Sequence, residues 1–272
     1  IRDEIMTAME RLWNTGQVFL HKPSSQDEFR NIRHYLTNIF PEVLPQLDQR
    51  LKNAWIQAGF NPDVLDSYKK YPSVTFGNWV GGDRDGHPFV THNVTRETLL
   101  DLRKEALHLL KRDLSGLAKK MSLSSLEVET PPKLAARIDE LAAMGGPKVD
   151  QALERNPDEP WRQLLNLMQG RIPLDENGAP VLKPDSGQFY LSEEEVLSDL
   201  DIIIESLYDI GAKRSVKIDV EPVARNVQAF GFHLAALDIR QNSRFHDLAM
   251  GQLLKASGVK DGENFPDWSE ET

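Results

Sequence analysis

Two short stretches concentrate the residues able to do chemistry. The first is Gly81-Gly82-Asp83-Arg84-Asp85-Gly86-His87-Pro88. Its glycines permit positive φ and close backbone approach to a ligand. Asp-Arg-Asp sets alternating charge between them. A guanidinium offers a planar donor fork suited to a carboxylate or phosphate, and the flanking aspartates are placed to hold it by salt bridges. Two readings stay open: a preorganised anion site, or a tight turn with self-neutralising surface charge. The stretch is neither a Walker loop nor a dinucleotide fingerprint, because the glycine order differs and no Lys-Ser/Thr follows.

The second stretch is Leu237-Asp238-Ile239-Arg240-Gln241-Asn242-Ser243. Asp238 and Arg240 alternate with apolar Leu237 and Ile239, so a strand puts the two charges on one side. In a barrel interior they must be paired or await an anion. On an edge strand they face water. Both readings stay open here too. The seven histidines show no H-x-H or H-E-x-x-H spacing. His34 and His108 fall on helices and are expected at the surface or its boundary. His87 in the glycine loop is the most interesting. Glu193-Glu194-Glu195, Asp199 and Asp201 read as a helix start answering the macrodipole, not as a metal cage. The chain has no cysteine, hence no disulfide, thiolate metal site or cysteine nucleophile.

Helices must position both stretches. Ile1, Ile5, Met9, Leu12 and Trp13 share one face of a first helix. Ser25 with Glu28 forms a capping box for a second, striped by Phe29, Ile32, Leu36, Ile39 and Phe40. Pro41 or Pro45 opens a third, with Leu44, Leu47, Leu51, Ala54, Trp55 and Ala58 inward and Gly59 as its stop. Ser73–Val80 changes to a strand-like pattern that runs into the glycine loop. Thr95 caps a long helix to about Lys120, with Lys104, Lys111, Arg112, Lys119 and Lys120 on its outer, solvated face. Further helices start near Pro132 and Asp158, with Gly145-Gly146-Pro147 between them as a loop. Residues 171–191 form an irregular insertion or small hairpin. Ser192 with Glu195 boxes a helix that ends at Gly211. Phe230–Ile239 is a second strand-like run, followed by a helix to about Ser257. The expected architecture is mainly α with a few short strands. Each strand delivers charge at its C-terminal end, the grammar of a β/α barrel, and two strands cannot close one. No internal domain boundary is assigned within 1–272.

The chain has 272 residues, 32 Lys+Arg against 42 Asp+Glu, and net charge −10. That disfavours nucleic acid and anionic membrane surfaces as partners. With no membrane span, no signal-peptide pattern and no cysteine, the expected location is cytoplasmic.

Together the two stretches resemble a family. Phe76-Gly77-Asn78-Trp79-Val80-Gly81-Gly82-Asp83-Arg84-Asp85-Gly86-His87-Pro88 is similar to the F-G-S-W-M-G-G-D-R-D-G-N-P motif of phosphoenolpyruvate carboxylases. Leu237–Ser243 resembles that family's L-D-I-R-Q-E-S, and Lys22-Pro23-Ser24-Ser25-Gln26-Asp27-Glu28 resembles its K-P-T-P-x-D-E. Asn78, Val80, His87 and Asn242 depart from the pattern, as in a divergent bacterial-type member. Phe89 stands where plant-type members carry the arginine of a sugar-phosphate activator site.

The resemblance implies an internal fragment of an incomplete β/α barrel of that type. The family joins phosphoenolpyruvate and bicarbonate into oxaloacetate and phosphate with Mg²⁺ or Mn²⁺, through carboxyphosphate and an enolate, in a cytoplasmic homo-oligomer. It implies Arg240 as the arginine for substrate phosphate, Arg84 as a second substrate-binding residue, and Gly81, Gly82, Asp83, Asp85 and Gly86 as an active-site loop. The family's catalytic histidine lies in a T-A-H-P-T segment upstream, and its acidic metal ligands and Gly-Arg-rich loop lie downstream. None of these segments occurs here, so neither a catalytic residue nor a metal ligand is expected in this chain, which alone would be inactive. The alternative is a helical regulatory or interaction module whose glycine loop is a structural turn.

Overall fold

The computed structural model describes residues 2–14, 25–85 and 89–268. Gly86, His87 and Pro88, the Lys22–Ser24 part of the third motif and the Ser25 side chain of the first capping box lie outside the described residues. Helix α1 (Arg2–Asn14) carries its apolar face exposed. Helix α2 (Ser25–His34) runs through a π-helical turn (Tyr35–Ile39) into α3 (Phe40–Gln57), where a break was expected. Pro41 is the second residue of α3, directly after the π turn, whose last bond runs from the Phe40 N–H to Tyr35 O. The wider π turn shifts the helical phase. Phe29, Leu36 and Leu44 are buried, whereas Leu47, Ala54 and Ala58, expected inward, are exposed and Asp48 is buried among the apolar residues. Gly59, at φ 81°, follows the end of α3 as its type permits.

Strand β1 (Gly77–Asn78) precedes α4 (His92–Lys120), α5 (Pro132–Ala142), α6 (Pro147–Arg155), α7 (Pro160–Gly170), α8 (Glu193–Asp209) and the single turn α9 (Lys213–Ser215). A second π turn leads into α10 (Glu221–Phe230), then strand β2 (Ala236–Leu237) and α11 (Ser243–Ala256). Both strands are shorter than the sequence pattern predicts. Phe230 still belongs to α10, and Gly231 and Leu234 both turn the chain through positive φ before pairing begins. Helix α4 starts three residues before Thr95, with Thr91 as its cap. Helix α6 begins at Pro147, the last residue of the expected Gly145-Gly146-Pro147 loop, because Gly145 and Gly146 turn the chain and Pro147 then suits a first helical turn. Ser192 makes no side-chain cap, and Glu195 accepts instead from the Leu191 N–H. Segment 171–191 carries one antiparallel bridge, Leu174 to Pro180, and buried Ile172, Leu174, Phe189 and Tyr190 pin it to the core.

The apolar residues form two clusters, and α4 serves both. Its Leu107, Leu110, Leu114 and Leu117 pack with α5, α7, α8 and α10. Its Leu102, Ala106 and Leu109 pack with Phe29, Leu36, Leu44, Val80 and Phe230 beneath the strand pair. One continuous helix thereby ties the larger core to the elements carrying both chemical stretches.

Asp199 corrects the macrodipole reading. It is buried and accepts from Arg137 Nε at 2.7 Å and Nη2 at 3.2 Å, and from the Tyr190 hydroxyl. Burial, then the Asp199 charge and hydrogen bond, push the Tyr190 hydroxyl well above the ordinary tyrosine pKa. A group whose pKa is raised by folding stabilises fully below its unfolded value and loses that contribution as pH rises above it. Tyr190→Phe is therefore expected to cost about 1–3 kcal/mol near neutral pH, through the bond Asp199 loses. Its penalty should shrink above pH about 10, where the wild type alone must suppress an ionisation. Urea unfolding of both proteins at pH about 8 and about 10.5 checks this. A penalty that is the same at both pH values would contradict it.

Candidate functional site

Strands β1 and β2 pair in parallel, Gly77 opposite Ala236 and Asn78 opposite Leu237. The ladder continues beyond them. Asp238 N–H donates to Asn78 O at 2.8 Å, Arg240 N–H to Gly82 O at 3.1 Å, and Arg84 N–H to Arg240 O at 2.9 Å. The glycine loop and the Arg240 turn, separated by more than 150 positions, thus meet at one end of one strand pair.

Two devices hold that end. Phe76 stacks between Phe40 and Phe230, with ring centroids 4.8 and 5.0 Å away and planes within 8°. Beside it, buried Arg225 clamps buried Asp48 through Nε at 2.7 Å and Nη2 at 3.3 Å, and Nη2 also donates to Pro72 O at 2.6 Å. This ties α10, which leads to β2, to α3 and to the segment that leads to β1.

The two glycines are required by the chain's own packing. A Cβ on Gly82 would lie 2.2 Å from the Asp238 carbonyl oxygen, and one on Gly81, at φ +83°, would lie 2.1 Å from Thr98 Oγ1. Gly82 lets the loop lie against β2, and Gly81 lets it lie against α4. Gly82→Ala is expected to push the loop off β2 at a cost of about 1–3 kcal/mol, read by denaturant unfolding. Gly116→Ala, a helical position with open space around it, is the matched control and should be neutral or stabilising. Equal effects of the two substitutions would remove this account of the loop.

The charged residues pair differently from the sequence expectation. Arg84 is not held by its flanking aspartates. Its Nη2 donates to Thr95 Oγ1 at 2.8 Å, and Thr95 in turn donates to Gly81 O at 2.8 Å. Arg84 Nε is buried and has no partner among the described residues. Asp83 Oδ1 accepts from the Asp85 N–H at 3.1 Å, and Asp83 Oδ2 faces Arg240 Nη1 at 3.4 Å. Arg240 therefore pairs with Asp83 and not with Asp238, which is exposed. Its side chain is 64% exposed, so the desolvation expected from its apolar neighbours is absent. A guanidinium has five donors, and this exposed contact leaves most of them to an incoming anion. Arg84 and Arg240 touch through their backbones, while their guanidinium groups serve different partners.

Thr95, Thr98 and Asn78 were not legible as site residues. Thr95 and Thr98 are buried and continue the α4 stripe of Leu102, Ala106 and Leu109 at helical spacing. That regular spacing was the available signal. Asn78 accepts from the Val80 N–H through Oδ1 at 3.1 Å, and its Nδ2 is buried with no partner among the described residues. Among the described residues no three His, Asp or Glu side chains come together in a way that could hold a metal ion. No described helix is long and apolar enough to cross a membrane.

This geometry places side by side the two stretches that carry the resemblance, and comparison with known proteins bears on the same point. The family model for phosphoenolpyruvate carboxylase matches residues 1–272. The chain belongs to the phosphoenolpyruvate carboxylase family. It is 34% identical over 256 residues to a phosphoenolpyruvate carboxylase of Nocardia farcinica, covering 91% of this chain and 26% of that protein. It is 31% identical over 266 residues to one of Mycolicibacterium paratuberculosis, covering 95% and 26%, and 28% identical over 266 residues to one of Roseiflexus castenholzii, covering 95% and 28%. The chain spans about a quarter of the length of the curated phosphoenolpyruvate carboxylases it matches. Its mainly helical fold with two short strands is the form this segment of the family takes here.

Proposed function

We propose that this chain supplies part of the substrate site of a phosphoenolpyruvate carboxylase, which joins bicarbonate to phosphoenolpyruvate and releases oxaloacetate and phosphate. The observation that carries the reading is Arg240. It lies three residues beyond β2, bridged to the glycine loop at Asp83, with a largely exposed guanidinium and one carboxylate partner. Phosphoenolpyruvate is a multiply charged anion, and a planar fork can grip its phosphate through two parallel hydrogen bonds. Negative charge that develops on the enolate calls for fixed positive charge nearby. Asp83 orients the Arg240 fork. Arg84, tied to Thr95, fixes the loop on α4 and is a weaker candidate for direct contact. Gly81, Gly82, Asp83 and Asp85 form the loop beside the anion, and Gly86 follows them in sequence.

Strands β1 and β2 would be two neighbouring strands of a β/α barrel, with the site at their C-terminal ends. Residues 1–272 act as one segment without an internal boundary, in keeping with the passage of α4 through both core clusters. The Mg²⁺ or Mn²⁺ of the family finds no ligand set among the described residues, so no step is assigned to it here. Proton transfer is likewise assigned to no residue of this chain. The full-length protein is proposed to be a cytoplasmic homo-oligomer.

Two experiments test the reading. The full-length protein that carries this chain should form oxaloacetate only when phosphoenolpyruvate and bicarbonate are both present, and Arg240→Ala should impair it. The isolated 272-residue chain should show no turnover in a coupled oxaloacetate assay, since it contains no T-A-H-P-T segment for general acid–base work. Turnover above background after control for host enzyme would overturn that second expectation.

A further inference from the structure

Three cavities lie along α6 and α7. Two of them, about 290 and 440 Å³, adjoin at Arg155, Asn166 and Gln169, which line both, and are treated together as one groove. Its floor is α7. One bank is α4 with Lys111 and Lys119, and the other is α6 with Lys148 and Arg155. Spacing explains the alignment. Residues seven or eight apart on a helix are two turns apart on one face, so each bank presents a pair of cations to the groove.

Nearby cations are already used. Arg112 pairs with Asp113, Lys120 with Asp219 and Arg162 with Glu159. Among the described residues, Lys111, Lys119, Lys148 and Arg155 form no such ion pair, and Lys148 Nζ only lies 5.8 Å over the Phe189 ring. The floor adds an unused donor. Asn166 accepts from Gln169 Nε2 through Oδ1, while its Nδ2 is buried without a partner among the described residues. Asp175 and Glu176 line the first cavity together with Lys111, Lys148 and Arg155, and Asp175 Oδ1 is already engaged by the Asn177 and Ala179 N–H groups at 2.9 and 2.8 Å. On a chain of net charge −10, four cations without an ion pair against two acids across these adjoining cavities are a local reversal of potential. Concave sites focus such a potential on an anion.

We propose that this groove binds a small polyanion bearing two or more phosphate groups. The cavities have the size of small-molecule sites. Phosphate accepts from several donors at once, which suits cations arriving from opposite banks together with an amide below. An extended nucleic acid would need a basic track along the surface, which the acidic total opposes. The site is separate from Arg240 and does not rest on the proposed activity.

Inorganic tripolyphosphate, titrated calorimetrically into the full-length protein, is the probe. Saturable binding is expected, unaffected by Arg240→Ala and weakened about tenfold or more by Lys111→Ala/Arg155→Ala, two charge-assisted contacts being lost. These side chains are exposed, so melting temperature should hold, and Arg155→Gln alone gives a milder second reading. No saturable binding at about 10 mM, or equal affinity in the groove variants, would overturn the site. Loss of binding in Arg240→Ala would reassign the ligand to the strand end. Citrate binding as tightly as tripolyphosphate would overturn the phosphate assignment. A single-stranded oligonucleotide that binds more tightly than tripolyphosphate, sensitive to the same variants, would overturn the small-molecule reading.

Discussion

Arg240→Ala in the full-length protein is expected to lower kcat/KM for phosphoenolpyruvate about ten- to a hundredfold, the size of one lost charge-assisted hydrogen bond. Arg240→Lys should recover only part of the loss, because an ammonium keeps the charge without the planar fork. The melting temperature should hardly move in either variant. The Arg240–Asp83 contact is 3.4 Å long with the arginine 64% exposed, and such pairs contribute at most about 1 kcal/mol. The competing reading, in which Arg240 is a structural partner at a turn, makes the opposite forecast: lost stability with kcat/KM per folded molecule unchanged. Both quantities measured on one preparation separate the two. Asp83→Asn adds a third point. If Asp83 only orients Arg240, its amide should weaken substrate use less than loss of the arginine itself.

Arg225→Ala is expected to have the largest effect on stability, about 3–5 kcal/mol. Arg225 is 4% exposed and Asp48 is 7% exposed, so the alanine would leave a buried carboxylate without its counter-charge and the Pro72 carbonyl without its donor. Salt should barely change the penalty, since a buried pair is little screened. Removing both charges with residues of similar volume, as in Asp48→Leu/Arg225→Met, should restore much of the loss, because the cost comes from the unpaired charge more than from the pair. Denaturant unfolding of the wild type and the two variants tests this. A single-variant loss below about 1 kcal/mol would mean that the clamp is solvated.

Local signals in the sequence carried much of the fold. The basic outer face from Lys104 to Lys120 belongs to α4, which does end at Lys120, and Gly59 and Gly211 marked helix ends. Features set by tertiary contact did not show. The π turn at Tyr35–Ile39 shifts the phase of α3 by an amount that no periodicity argument anticipates. Arg225 and Asp48 are 177 positions apart, and Arg137 and Asp199 are 62 apart. Nothing local marks either pair as partners, so Asp199 read as one more acid in an acidic helix start.

The candidate site shows the same division. The strand-end position of Arg240 and the glycine loop could be read from period and motif. Which carboxylate meets Arg240 could not, because Asp83 comes from the other strand. The glycines were legible as conformational devices, yet the surfaces they approach are α4 and β2 of this same chain. Thr95 was assigned to a helix cap because Ser/Thr ahead of an apolar stripe is the usual cap signal. It lies one turn inside the helix, where it binds both the loop and Arg84.

Arg240, just beyond β2, is proposed to hold the substrate's phosphate. Equilibrium binding of phosphoenolpyruvate to the full-length protein, by calorimetry on wild type and Arg240→Ala, tests it most directly. Saturable binding by the wild type is expected, at least about tenfold weaker in the variant while the variant remains as stable as wild type. Equal dissociation constants for the two proteins would contradict it.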